Sequence, residues 1–335
     1  MHVPGAANWT LFTAVGSALA IGILLLPAEP GAQPADRARV GILGTFGQRG
    51  MRPVTAFVQR LGDLGYIEGR NLTVDYRSAE DKPGRLPDLA RELVRLKPDV
   101  ILTLGTSDSA VAAMKVTATI PIVFALAVDP IRDGLVESLA RPGGNVTGVS
   151  SLNADLDAKR LELVTEIVPG IRRVAVLASR IDPETPNLIA AVDSAARARR
   201  VQLHLLEIRD LSRLDSAVSE AVKIGAGGLL VLGSPPFFPH QPAIAKLAAR
   251  HRVPVVSGWR ELPEGGGLAS YGTDVLEMFR RAAGLVDRIL KGAKPAELPV
   301  EQPTKFELIV NARAARALGL TIPATVLLRA DRVIE

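Results

Sequence analysis

Residues 100–113 read VILTLGTSDSAVAA, in which an apolar run ends at a glycine and an alanine-rich segment follows. The branched apolar residues predict a buried strand, and the alanine-rich segment is typical of a helix. Between them the chain turns through Thr106, Ser107 and Asp108. A strand that leads through a short polar turn into a helix is the basic unit of a sheet with helical crossovers. This unit decides the fold, because it is repeated along most of the chain.

The same unit occurs on both sides of this stretch, from residue 38 to residue 130. Strands are predicted in ARVGILGTFG (38–47), NLTVDYRSA (71–79), DVILTLG (99–105) and IPIVFALAVDP (120–130), and helices in RPVTAFVQRLGDLGY (52–66), RLPDLARELVRLKP (85–98) and SDSAVAAMKVTA (107–118). Regular alternation at this spacing predicts a parallel sheet with a helix in most of the connections.

The pattern starts again at residue 172. The corresponding segments of the second half are RRVAVLASRIDPETP (172–186), RLDSAVSEAVKIGAGGLLVLGSPPFF (213–238) and AIAKLAARHRVPVVSGWREL (243–262). The sequence therefore predicts an α/β protein with two doubly wound, Rossmann-like parallel-sheet lobes. Such sheets bind ligands outside the carboxyl ends of their strands, so a cleft between the two lobes is the expected site.

Segments rich in glycine and short polar residues are candidates for the connections between the lobes. The first is RPGGNVTGVSSLN (141–153), the second is GGGLASYGTD (265–274), and a late strand and helix in residues 298–320 would return the chain once more. We expect residues 1–35 to form an export segment, residues 38–150 with about 272–297 the first lobe, and residues 151–268 with about 303–335 the second lobe. Three crossings would form the hinge about which the lobes close.

Each strand-to-helix junction offers unpaired backbone N–H groups and the positive end of a helix dipole, which suit a ligand carboxylate. The candidate ligand-binding residues at these junctions are Thr45, Phe46, Thr106, Ser107, Asp129, Ser179, Asn187, Ser234 and Tyr271. We expect Thr106 and Ser107 to hold a carboxylate and Asp129 to hold an ammonium group. Helix capping alone is the alternative role for Thr106 or Ser107.

The remaining candidates are expected to add hydrogen bonds and an apolar wall. The hydrogen-bonding group consists of Thr45, Ser179, Asn187 and Ser234, and the apolar group of Phe46 and Tyr271. Phe237 and Trp259 are further candidates for the wall, with core packing as the alternative for Phe237. Turn formation is the alternative role for each Asp-Pro or Ser-Pro junction taken singly.

No residue pattern typical of catalysis is found. The four histidines lack metal-ligand spacing, and the Walker, G-x-G-x-x-G and G-x-S-x-G patterns are absent. The absence of cysteine excludes disulfides, thiolate nucleophiles and cysteine-based zinc sites. We therefore expect a protein that is not an enzyme and that uses neither a cofactor nor a metal.

The composition of the 335-residue chain is that of a globular protein, with 47% hydrophobic residues. Its formal net charge of +5 is scattered along the sequence, and only 4% of the residues are aromatic, which leaves few side chains for base stacking. A solvated basic surface is therefore favoured over a nucleic-acid interface.

The N-terminal region contains an apolar, charge-free run, LFTAVGSALAIGILLLP (11–27), followed by the loop-like AEPGAQPADR (28–37). This order predicts an export signal. An uncleaved membrane anchor is the alternative, but the run is shorter than the roughly 20 residues of a membrane-spanning helix and contains two glycines.

Several longer segments resemble one family of transport proteins. They are residues 120–169, GGLLVLGSPPFF (227–238), WRELPEGGGLASYGTD (259–274), residues 288–320 and LLRADRVIE (327–335). The chain from residue 38 onwards is similar to the ABC-transporter substrate-binding proteins of the tryptophan/tyrosine-type uptake family. Where many members have an asparagine-rich loop similar to NPNNP, this chain has SRIDPETPN (179–187), which places Arg180 and Asp182 at the edge of the cleft.

The resemblance implies a type I periplasmic binding protein fold, export to the periplasm and no catalysis. It also implies that a small polar solute, an amino acid and in some members an aromatic one, is delivered to a membrane permease driven by a cytoplasmic ATPase. We expect a monomer that is open when empty and closes around its solute. A periplasmic sensor, in which the same closure presents a surface to a membrane receptor, is the alternative function.

Overall fold

The computed structural model describes residues 37–47, 49–151 and 153–335. The predicted export segment, residues 1–35, lies outside the described residues. The described chain is an α/β protein with two lobes, each built on its own sheet. The sequence predicts two sheets and an alternation of strands with helices, and both predictions are confirmed.

The first lobe contains a five-stranded, fully parallel sheet in the order β2-β1-β3-β4-β5. Its strands are β1 (Ala38–Gly44), β2 (Leu72–Ser78), β3 (Val100–Leu104), β4 (Ile122–Ala127) and β5 (Val146–Ser150). Its helices are α1 (Arg52–Asp63), α2 (Leu86–Arg95), α3 (Ser107–Met114) and α9 (Val275–Leu290). Helices α1 and α9 cover one face of the sheet, and α2 and α3 cover the other, so the strands are buried on both faces.

The second lobe contains a seven-stranded sheet in the order β12-β11-β10-β9-β8-β6-β7. Its strands are β6 (Arg173–Ser179), β7 (Gln202–Ile208), β8 (Gly228–Val231), β9 (Val255–Ser257), β10 (Ala269–Thr273), β11 (Phe306–Asn311) and β12 (Arg332–Ile334). Its helices are α4 (Asn153–Ile167), α5 (Thr185–Arg199), α6 (Leu214–Lys223), α7 (Gln241–Arg250), α8 (Glu261–Glu264), α10 (Ala312–Ala317) and α11 (Ala324–Arg329).

The two sheets repeat one topology. The order β7-β6-β8-β9-β10 in the second lobe is the order β2-β1-β3-β4-β5 in the first, as the internal repeat of the sequence predicts. Strands β11 and β12 extend only the second sheet. The β10–β11 pair is antiparallel, whereas every other pair is parallel. The chain leaves the second sheet at the end of β10, passes through α9 in the first lobe and re-enters at the same end, so β11 must run in the opposite direction.

The chain passes between the lobes three times, after β5, after β10 and before β11. Near the third crossing the Glu301 N–H donates to the Gly148 carbonyl at 2.9 Å, so the returning chain lies along β5. The segment 141–153, predicted as a connection, contains the buried strand β5. Glycine is needed there for close packing rather than for a turn, because a Cβ at Gly148 would collide with the carbonyl of Phe124. The predicted connection is therefore wrong for Val146–Ser150, whereas the crossing itself follows directly after Ser150, within the predicted segment.

The second crossing is fixed by the N-cap of α9. The Asp274 carboxylate accepts hydrogen bonds from the backbone N–H groups of Leu276 at 2.9 Å and Glu277 at 3.2 Å. We expect Asp274→Ala to lower the free energy of unfolding by about 1 kcal/mol, because two N–H groups of the first turn lose their acceptor. Urea unfolding monitored by circular dichroism measures this loss. Asp193→Ala, in the middle of α5, is the control, and an equal loss in both variants would contradict the capping role.

Candidate functional site

The carboxyl ends of β1 and β3 bring two predicted residues together. Thr45 follows β1 and Thr106 follows β3, and their hydroxyl oxygens lie 3.0 Å apart. Both side chains are buried. Gly105, with φ of +100°, makes the turn between β3 and α3, and a Cβ there would lie 3.0 Å from the ring of Phe46. The turn therefore requires glycine, which also lets the Phe46 ring pack beside Thr45.

Helix α3 begins at this turn without a side-chain cap. The side chain of the N-cap residue, Thr106, accepts no hydrogen bond from the first N–H groups of the helix. The Thr106 hydroxyl is paired with Thr45, and the Ser107 hydroxyl donates to Asp133 Oδ2 at 2.5 Å. The capping alternative for these two residues therefore has no support in their contacts. The Ser109 N–H donates to the Thr106 carbonyl at 3.2 Å, and the N–H groups of Ser107 and Asp108 before it are left as donors at the cleft edge of the sheet.

The loop after β4 presents charged side chains. Asp129, the predicted partner of an ammonium group, accepts a hydrogen bond from the Arg132 N–H at 3.1 Å, and the Asp133 N–H donates to the Asp129 carbonyl at 3.0 Å. Asp129 thus closes a turn that presents Arg132 and Asp133. The Arg132 guanidinium lies 3.4 Å from the Asp133 carboxylate.

The second lobe presents a buried carboxylate in the loop after β6. Asp182 is 3% exposed, accepts the Ser234 hydroxyl at 2.7 Å, and accepts the Glu184 N–H at 3.0 Å. Ser179 is also buried, and its carbonyl accepts the Thr185 hydroxyl. The loop after β6 and the junction after β8 are therefore held together at one edge of the second sheet.

The two lobes contact each other across this edge. Arg132 of the first lobe forms an ion pair with Glu184 of the second, whose side chain is 4% exposed. Arg52 at the start of α1 lies 3.7 Å from Glu261 and 4.0 Å from Glu264 of α8. The polar strand ends of the two sheets therefore face each other, as the internal repeat predicts.

Burial and like charges set the protonation of the acidic groups. Burial raises the pKa of Asp182 to about 7; the Ser234 hydroxyl opposes this shift, and the negative charges of Asp108 and Asp133 reinforce it. Burial, together with the charge of Asp133, also raises the pKa of Asp108. Asp108 and Asp133 belong to the first lobe, so the environment of Asp182 is shared between the lobes.

A buried ion pair lies behind the second-lobe junctions. Asp157 and Arg160, both on α4, are at most 1% exposed and are joined at 2.6 Å. Both Asp157 oxygens accept the Gly233 N–H, at 2.9 and 3.1 Å, and Arg160 Nε donates to the Tyr271 carbonyl at 2.7 Å. The pair thus joins α4 to the end of β8 and to the middle of β10.

Most of the predicted residues lie at the carboxyl ends of strands, whereas Asn187 lies on α5 and Tyr271 lies within β10. Asn187 is exposed on α5, where its amide lies 3.3 Å from a Glu184 oxygen. Tyr271 lies with its ring centroid 6.2 Å from that of Phe306 and lines a separate cavity of about 440 Å³ in the second lobe, with Lys159, Leu163 and Arg329. Phe237 is fully buried in the core, which is its alternative role, and Trp259 makes an edge contact with Phe238 at 5.9 Å.

Sequence reasoning missed the charged contacts of the cleft. The set consists of Asp108, Arg132, Asp133, Asp157, Arg160 and Glu184. The sequence contains a weak signal for Arg132 and Asp133, because both follow the Asp129-Pro turn. It contains none for Asp157 and Arg160, since an i, i+3 pair of opposite charges is typical of an exposed helix face.

Two classes of feature are absent from the part of the chain that the structure describes. No group of three or more histidine, aspartate or glutamate side chains there is arranged to hold a metal ion. None of the helices described there combines the length and apolarity needed to cross a bilayer.

Comparison with known proteins places this two-lobed arrangement in a family. The family model described as "ABC transporter substrate binding protein" matches residues 50–334, which is most of the chain. The chain belongs to this family. The substrate-binding protein is 28% identical over 268 residues to a tyrosine-binding protein of Clostridioides difficile (strain R20291), an alignment that covers 79% of this chain and 75% of that protein.

Solved structures share the fold of this substrate-binding protein. A conserved domain protein from Vibrio cholerae is 28% identical, with a TM-score of 0.81 over 88% of this chain and 99% of that one. An ABC domain from Streptococcus pneumoniae, solved in complex with L-Trp, is 23% identical, with a TM-score of 0.79 over 89% of this chain and 100% of that one. These similarities agree with the type I periplasmic binding protein fold.

Proposed function

We propose that this substrate-binding protein is the solute-binding component of an ABC importer and that it holds an amino acid between its two lobes. The observation that supports this most directly is the pairing of an uncapped helix N-terminus with a buried carboxylate at the facing edge. The N–H groups at the start of α3 suit the solute carboxylate, and Asp182 suits its ammonium group. An amino acid has both groups on one carbon atom.

The relatives support the same class of solute. The similar protein of Clostridioides difficile is named for tyrosine, and the similar structure from Streptococcus pneumoniae contains L-Trp. In our proposal the hydroxyl groups of Thr45, Thr106, Ser107, Ser179 and Ser234 add hydrogen bonds, and Phe46 contacts the side chain of the solute. Asp129 acts by shaping the turn that carries Arg132 and Asp133.

Closure follows from the topology in this proposal. The two lobes, with the boundaries expected from the sequence, rotate about the three crossings, and the Arg132–Glu184 pair forms when they meet. The closed form then presents one surface to a permease in the membrane, and the N-terminal apolar run directs export to the periplasm. Uptake of labelled solute by cells with and without the gene tests delivery, and fractionation of those cells tests location.

A stability screen with the twenty standard amino acids tests the binding step. A solute that binds only the folded protein raises the free energy of unfolding by about 2.7 kcal/mol at a concentration 100 times its Kd. We expect one or a few amino acids to produce this shift in thermal unfolding of the purified protein. Native mass spectrometry of freshly purified protein gives an independent readout. If no amino acid stabilises the protein and none co-purifies with it, the proposed function is wrong.

A further inference from the structure

The buried ion pair on α4 contacts three adjacent strands of the second sheet near their carboxyl ends. The Asp157 carboxylate accepts the Gly233 N–H after β8, and Arg160 Nε donates to the Tyr271 carbonyl in β10. Between these strands, Gly258 directly follows β9, and a Cβ there would lie 2.5 Å from Arg160 Nη2. The guanidinium group therefore occupies the space in which a side chain at position 258 would lie.

A continuous series of contacts leads from this pair to the candidate site. Arg160 holds the Asp157 carboxylate at 2.6 Å, and the two oxygens of that carboxylate accept the Gly233 N–H at 3.1 and 2.9 Å. Ser234 follows Gly233 in the chain, and its hydroxyl donates to the Asp182 carboxylate at 2.7 Å. The position of Ser234, and through it that of Asp182, therefore depends on where Asp157 is held.

The same pair is connected to two of the crossings between the lobes. Helix α4 is the first element after the first crossing, and β10 is the last strand before the second. Arg160 joins these two elements, because its Nε donates to the Tyr271 carbonyl at 2.7 Å. From Tyr271 the chain runs directly to Asp274, the N-cap residue of α9. The ion pair therefore lies between the crossings and the junction that carries Ser234.

Stability alone does not account for a pair of this kind, since two apolar side chains of similar volume are often as stable as a buried ion pair. Apolar side chains cannot supply direction, whereas a planar guanidinium group fixes two acceptors at once and a carboxylate fixes a backbone N–H. We propose that Arg160 and Asp157 are positioning residues for solute binding, which hold Asp182 in place relative to the strand that leads into the second crossing. This inference rests on the proposed function, in which Asp182 binds the ammonium group of the solute.

Arg160→Lys separates the positioning role from the charge. Lysine keeps a positive charge beside Asp157, but its single nitrogen cannot hold that carboxylate and the Tyr271 carbonyl in the same two directions. The probes are the standard amino acids, titrated one at a time by calorimetry. We expect each one that binds the wild type to bind Arg160→Lys about tenfold more weakly. Urea unfolding should show a smaller loss of stability for Arg160→Lys than for Arg160→Met, because the charge of Asp157 stays paired.

The matched control is Arg199→Lys. Arg199 also pairs with a carboxylate of α4, that of Glu162 at 2.9 Å, but both side chains are partly exposed. This variant should leave binding and stability unchanged. If the wild type binds an amino acid and Arg160→Lys binds it equally tightly, the positive charge is sufficient and this inference alone is wrong. If the wild type binds none of the standard amino acids, the proposed function is wrong.

Amide hydrogen exchange of Gly258→Ala gives a readout that needs no solute. This variant keeps both charges, and its added methyl group displaces the guanidinium group of Arg160. We expect faster exchange in residues 229–236 and 180–186, which contain the N–H groups of Gly233 and Glu184, and unchanged exchange in the first sheet. Gly284→Ala, where a Cβ meets open space, is the control and should leave both segments unchanged. Unchanged exchange in both segments of Gly258→Ala would overturn the positioning role.

Discussion

The Asp182→Asn substitution is expected to weaken solute binding by about 10- to 100-fold at pH 8. A hydrogen bond to a charged group contributes roughly 1.5–3 kcal/mol, and about 1.4 kcal/mol corresponds to a factor of ten in Kd. The Glu184 N–H and the Ser234 hydroxyl donate to different oxygens of Asp182. Asparagine keeps one oxygen for the Glu184 N–H, and its NH2 group can donate to the Ser234 hydroxyl oxygen, so the loop after β6 should stay in place. The measurement is titration calorimetry with the solute found in the amino acid screen.

The control for this experiment is Asp193→Asn, on the exposed face of α5. The folded state of Asp182→Asn is checked by circular dichroism before titration. A Kd within threefold of wild type for a folded Asp182→Asn protein would show that this carboxylate does not bind the solute. The ammonium contact would then have to be sought at Asp129, the residue that the sequence first indicates.

The same substitution changes the dependence of stability on pH. The pKa of Asp182 is about 7 in the folded protein and near 3.8 in the unfolded chain, so the folded protein holds a proton that the unfolded chain has lost between these values. The stability contributed by this group is therefore present at low pH and falls as the pH rises from about 4 to 7. We expect urea unfolding to show a smaller loss between pH 5 and pH 8 for Asp182→Asn than for wild type. An identical loss in both proteins would contradict the raised pKa.

The Arg160→Met substitution is expected to lower the free energy of unfolding by about 3–5 kcal/mol. It leaves the Asp157 carboxylate, which has no exposed surface, without its buried positive partner. Burial already raises the pKa of Asp157, and Arg160 is the group that opposes that shift most strongly. Chemical denaturation at pH 7 measures the loss.

Two further variants distinguish the cost of an unpaired buried charge from the cost of lost side-chain packing. Asp157→Asn combined with Arg160→Met removes both charges, so we expect the double variant to recover part of the stability lost in Arg160→Met. Arg197→Met removes one partner of an exposed pair on α5 and should cost less than about 1 kcal/mol. A loss in Arg160→Met no larger than that in Arg197→Met would show that the buried pair contributes little.

The alternation of apolar runs and helices was sufficient to predict the two sheets. Buried parallel strands need continuous runs such as VILTLG, and the helices between them need an apolar face, so both patterns are present in the sequence itself. Strand β5 was missed as an element because Gly148 and its polar neighbours are typical of a turn. Its burial depends on Phe124 of the adjacent strand, which no local pattern reports.

The sequence predicts which residues follow the strands at the candidate cleft, but it does not predict the charged contacts made there. Thr45, Thr106 and Ser234 follow strands directly, so the rule for parallel sheets places them at one edge. The partners Arg132 and Glu184 come from different lobes, and their contact depends on how the lobes meet, which local sequence does not encode. Tyr271 was predicted as part of an apolar wall because it is aromatic, whereas its position in β10 directs its ring toward Phe306.

The threefold passage of the chain between the lobes limits how the molecule moves. A single tether would allow one lobe to swivel and slide against the other, whereas three tethers side by side leave one soft degree of freedom, the opening angle. In the proposed function, binding of the solute therefore favours a smaller opening angle and does not twist one lobe against the other. In the proposed function, the permease would therefore distinguish the loaded protein from the empty one by the opening angle alone.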